Sequence, residues 1–101
     1  MWGGIAAGLS NHGVVGFAGN METQGEARQR ALAECIVKGG TDCQFLGFFE
    51  FCGAVAGSVN PPTLAGGKGD NKKKASRAAV QSCLNQGASN CQALATYCND
   101  Y

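Results

Sequence analysis

Two stretches of this chain echo one another at a spacing of 48 residues, and the echo carries its cysteines with it. Ala27, Ala31, Leu32, Cys35, Ile36, Cys43, Gln44 and Leu46 reappear as Ala75, Ala79, Val80, Cys83, Leu84, Cys91, Gln92 and Leu94. A period of that length marks a duplicated supersecondary unit, which buries its apolar face only against its twin. Each copy holds a Cys-x7-Cys pair, so the expected product is a small pseudo-symmetric fold held by disulfides.

At 101 residues the chain is expected to be one domain, 1–101, with repeat 1 spanning about 2–51 and repeat 2 about 52–101. Burial alone leaves so short a chain a modest margin against conformational entropy. Six cysteines, an even number, point to a disulfide framework and an oxidising compartment, periplasmic or secreted. Structural zinc usually takes paired ligands about two to four residues apart. The closest cysteines here are Cys91 and Cys98, so neither a metal nor another cofactor is expected. The 8 Lys and Arg against 7 Asp and Glu leave a net charge of +1, no field for a nucleic-acid partner. No stretch is long and apolar enough to span a bilayer. Nor does the start read as a secretory leader; the compartment implies that one has been removed and that Met1 is an introduced start.

Repeat 1 opens with Trp2-Gly-Gly-Ile-Ala-Ala and repeat 2 with Cys52-Gly-Ala-Val-Ala-Gly, both read as short strands. After a turn at Asn11-His12-Gly13, Val14 to Ala18 form a second strand, whose counterpart near Leu64 to Gly66 is weakened by Gly66, Gly67 and Gly69. Thr23 and Glu26 have capping-box spacing, the Glu26 carboxylate reaching back to the Thr23 amide. The helix that follows takes Ala27, Ala31, Leu32, Cys35 and Ile36 as its apolar face and ends at Gly39-Gly40. The second helix repeats that face, with Asp70 as N-cap and Gly87 beyond its end. Gln44 to Phe51 is the strongest strand signal, and its counterpart runs from Gln92 to Cys98. Alternation puts Leu46 and Phe48 toward the helices and Phe45, Phe49 and Phe51 on the opposite face. The expected fold class is α+β: two ββαβ repeats forming a mainly antiparallel sheet with two helices packed on it and three disulfides.

Six cysteines allow fifteen pairings, among which sequence alone does not choose. Symmetry narrows the field. Cys35 with Cys43, and Cys83 with Cys91, would each join a helix end to the next strand, leaving Cys52 and Cys98 for each other. By chain entropy the short loops are worth roughly 2.5 kcal/mol each and the long one about 4, upper values because one short loop lies inside the long one. A redox role is disfavoured: Cys35 and Cys83 fall near helix C-termini, where the dipole opposes a thiolate.

His12 is the only histidine and sits in a turn without an identifiable partner. Glu26 is accounted for by capping and Glu34 by a helix surface; Glu22, Asp42, Glu50, Asp70 and Asp100 show no pairing by spacing, and a carboxylate pair in space is unsupported. Gly66-Gly-Lys-Gly69 lacks the Ser or Thr of a phosphate-binding loop. The segment from Gly57 to Asp70 reads as a long loop, either a binding element or mobile. Lys72, Lys73, Lys74 and Arg77 give the second helix a basic start against the macrodipole, which suits either a solvated surface or an acidic partner. Phe45, Phe49 and Phe51, if uncovered, form a candidate interface.

Trp2-Gly-Gly-Ile-Ala, the helix from Glu26 to Cys35, Gly40-Thr-Asp-Cys43 and Cys52-Gly-Ala-Val-Ala56 together give the chain its family likeness. It resembles the bacterial secreted domain-of-unknown-function family 4189 over essentially its whole length. The resemblance implies an exported protein with paired cysteines and supplies no catalytic residues; the Pro-Pro segment and the lysine run depart from the family's usual pattern.

The function expected is a non-catalytic periplasmic or secreted protein-binding domain, most concretely an immunity protein that neutralises an antibacterial toxin delivered by a secretion system. A small envelope-acting hydrolase or secreted effector, and a structural or assembly component of the envelope, are the alternatives.

Overall fold

The computed structural model describes residues 1–8, 14–59 and 61–99. Its elements run β1 (Trp2–Gly8), β2 (Val15–Met21), α1 (Gln24–Val37), β3 (Cys43–Phe49), β4 (Cys52–Val59), β5 (Pro62–Gly69), α2 (Lys72–Asn85) and β6 (Gln92–Cys98). The ββαβ unit is thus present twice. In each copy the first strand is central, giving antiparallel sheets of order β2-β1-β3 and β5-β4-β6.

The strands are divided between two three-stranded sheets instead of forming one continuous sheet, and the reason is burial. Ala6, Ala18, Ala31 and Cys35 pack α1 onto one face of the first sheet, and Ala54, Ala56, Ala65, Ala75, Ala79 and Cys83 pack α2 onto the second. The opposite faces carry Ile5, Ala7, Val15 and Phe49, and Val55 and Leu64, which meet in one shared core. Laid side by side, the sheets would leave those faces in water; face to face, they bury them. The layers are therefore helix, sheet, sheet, helix, with β3 stacked on β5 and β2 on β6.

The helix stripe is narrower than the sequence implies. Ala27, Ala31 and Cys35, and Ala75, Ala79 and Cys83, are buried, whereas Ile36 is 61% exposed and Leu84 is exposed too. Nine residues are two and a half turns of helix, which carries Ile36 to the side opposite Ala27. Small residues let the helices lie close. A Cβ at Gly16 would overlap the backbone of Ala31 and Cys35, and one at Gly67 the backbone of Ala79.

That contact corrects the reading of Gly66, Gly67 and Gly69. They do not weaken the strand; β5 is full length, and Gly67 and Gly69 face α2. Gly57 to Asp70 is consequently no loop, since β4 and β5 form a hairpin in register from Cys52↔Gly69 to Val59↔Pro62, with Pro62 tolerated as the first strand residue. The second N-cap is also corrected, from Asp70 to Asn71, whose Oδ1 accepts the Lys74 amide at 2.9 Å. Asn71 lies 48 residues after Thr23, the cap of α1. In that first cap the Glu26 carboxylate takes the Thr23 hydroxyl, at 3.0 Å, in place of the amide. Gly39 and Gly87 follow the two helix ends at positive φ.

All three expected disulfides are formed: Cys35–Cys43, Cys83–Cys91 and Cys52–Cys98. No described side-chain N or O is buried without a hydrogen-bond partner.

Candidate functional site

The phenylalanines of β3 do not share an outer face. Gly47 pairs with Ile5 and Phe45 with Ala6, so Leu46 is an extra residue in a β-bulge, and Gly47 takes φ +156° there. A bulge shifts the alternation by one residue. Phe45 therefore turns toward α1, packing beside Phe48 with ring centroids 4.7 Å apart and under the Arg28 guanidinium at 5.6 Å. Leu46 and Phe49 turn into the core between the sheets; Phe49, only 1% exposed, lies over Gly3 and Gly53. As an accessible contact residue Phe49 is withdrawn, and Phe51, 51% exposed, is the most exposed of the trio.

Lys72, Lys73, Lys74 and Arg77 all lie exposed in the first turns of α2. Lys74 pairs with Asp70 at 3.7 Å, while Lys72, Lys73 and Arg77 have no ion-pair partner among the described residues. Five of the eight basic residues (Lys68, Lys72, Lys73, Lys74 and Arg77) fall within ten positions beside one acid, Asp70, a local charge of +4; the rest of the chain sums to −3. The charge is polarised even though the total is near zero.

Next to the start of α2, where β3 ends and β5 ends, a cleft of about 550 Å³ is lined by Trp2, Phe48, Phe51, Gln24, Glu50, Lys68 and Asp70, among others. Trp2 and Phe48 meet edge to face at 6.2 Å, forming an aromatic wall. Sequence spacing gave no hint that Glu50 and Asp70 share a cleft, because the hairpin of β4 and β5 is what brings them there.

The pseudo-twofold counterpart of this corner is shut. Cys52 and Cys98 occupy the positions of Trp2 and Glu50, and their disulfide staples that end. Tyr97 packs over Gly19 and stacks on Phe17 at 5.6 Å. Asn99, the counterpart of Phe51, is only 7% exposed; its Oδ1 accepts the Asn20 amide at 2.9 Å and its Nδ2 donates to the Glu50 carbonyl at 2.8 Å. Neither Trp2 nor Asn99 is among the contact residues expected from sequence. The signal that could have found them is the register of the repeat itself, at the positions where the two copies stop matching.

The profile of the family described as domain of unknown function DUF4189 matches residues 2–98. This chain belongs to the DUF4189 family. No curated protein and no solved structure matches it. Among the described residues of this DUF4189 domain no cluster of three or more metal-ligating side chains occurs, and no helix is long and apolar enough to cross a membrane. His12 lies outside the described residues.

Proposed function

We propose that this DUF4189 domain is a non-catalytic, periplasmic or secreted protein-binding module, in its most concrete form an immunity protein that neutralises an antibacterial toxin. The observation that carries the reading is the unneutralised basic face of α2, Lys72, Lys73 and Arg77, on a body stapled by three disulfides. A pre-organised frame lowers the ordering cost of association, and a one-signed patch steers an acidic partner. The partner is then an acidic face of a toxin, and binding weakens with salt.

The test is competition between siblings. A deletion strain should be killed beside wild-type cells, rescued by the wild-type gene, and not rescued by a Lys72→Glu, Lys73→Glu, Arg77→Glu triple variant that still folds. Survival of the deletion strain, with no toxin recovered on the oxidised protein, removes the proposal. The hydrolase reading keeps one observation, that Glu50 and Asp70 line a common cleft. It predicts envelope damage that Glu50→Gln abolishes.

A further inference from the structure

We infer that the cleft lined by Trp2, Phe48 and Phe51 is a binding site for neutral sugar units of a glycan, a role independent of the partner surface on α2. The repeat supplies the first reason. At the equivalent corner the same framework places Cys52, Thr96, Cys98 and Asn99, which close it with a disulfide and buried hydrogen bonds. Here the matching positions carry Trp2, Phe48, Glu50 and Phe51 around open space. Packing does not require one exposed and two partly exposed aromatic rings where the twin is sealed.

The chemistry of the lining supplies the second. A sugar ring presents a C–H face, which packs on aromatic rings, and an edge of hydroxyls that both donate and accept. Gln24 offers both functions, Glu50 accepts and Lys68 donates. The charged groups that line the cleft are balanced, Glu50 against Lys68, with Asp70 paired to Lys74 at 3.7 Å, so the lining itself does not call for a charged ligand. At about 550 Å³ the cleft is within the usual range of small-molecule sites, roughly 300–1,000 Å³. Its walls are the start of β1, the ends of the edge strands β3 and β5, and the β3–β4 connection, a corner that offers a peptide only strand ends and not a length of strand.

Trp2 is the sole tryptophan, so its emission reports on this cleft alone. Titrating the oxidised domain with N,N′-diacetylchitobiose and with cellobiose should give a saturable change in Trp2 fluorescence for at least one of them, with a Kd of about 1 mM or tighter. Phe51→Ala should weaken it about five- to tenfold, the worth of one aromatic contact, without shifting Tm. As a second readout, amide resonances of Gln24 and Lys68 should move with the same saturation curve. No saturable response to either disaccharide up to its solubility limit would overturn the inference. So would a response that survives Phe51→Ala intact, or one elicited by a tripeptide or a sulfated tetrasaccharide and not by the neutral sugars.

Discussion

The two corners related by the pseudo-twofold occupy matching positions of the repeat and are built in opposite ways. At one, Cys52–Cys98, Tyr97 over Gly19, and Asn99 bonded to Asn20 and Glu50 convert the sheet ends into a closed joint. At the other, Trp2, Phe48 and Phe51 surround a cleft. A duplicated frame needs only one copy of a given joint to stay folded, which leaves the other position available for binding. The same division runs through the helices: α1 begins Gln24-Gly-Glu, and α2 begins with three lysines.

If that division is right, substitutions at matched positions have unequal effects. The largest contrast is between Phe49 and Tyr97, 48 residues apart. Phe49→Ala empties the core between the sheets and should cost about 3–5 kcal/mol by guanidinium unfolding. Tyr97→Ala, at a partly exposed site, should cost about 1–2. Equal losses would mean that the shared core is more symmetric than its geometry.

Next come the disulfides. Replacing Cys52 and Cys98 by Ser should cost about 3.5–4 kcal/mol, because the Cys83–Cys91 bridge inside that loop shortens it only slightly. The two short pairs, each with a separation of 8, should cost about 2.5 apiece and match within about 1 kcal/mol. A marked inequality between those two, measured by Tm, would break the equivalence of the repeats.

Smaller but more telling is Asn99 against Phe51. Asn99→Ala removes the side-chain bonds to the Asn20 amide and the Glu50 carbonyl at a buried joint and should cost about 2 kcal/mol. Phe51→Ala should stay within about 0.5. A stability loss at Phe51 as large as that at Asn99 would make the aromatic corner structural. Smallest of all, Ile36→Lys and Leu84→Lys should be nearly neutral in thermal melts, because both side chains face water.

Much of the fold was legible in the chain because its determinants are local or periodic. The echo from Ala27 to Leu46, the Thr23 cap, the glycines after each helix and the symmetry of the cysteines required no knowledge of distant contacts, and the elements and pairings follow from them. Asn71 could have been placed by adding the repeat spacing to Thr23. The basic start of α2 was equally visible, since charge spacing along a helix needs no tertiary information.

What packing alone decided is the sidedness of β3, the stacking of two sheets and the cleft. Strict alternation holds only while strand and partner advance together, and the bulge at Leu46 broke that step, turning Phe45 and Phe49 to opposite sides. Gly66, Gly67 and Gly69 read as strand breakers until a helix and a second sheet stood against them. Trp2, Phe51 and Asp70 are far apart along the chain and meet only because β1 pairs with β3 and the β4–β5 hairpin returns Asp70 to the same end. Covalent order and local periodicity are written in one dimension; an open corner exists only where three-dimensional packing leaves space unfilled.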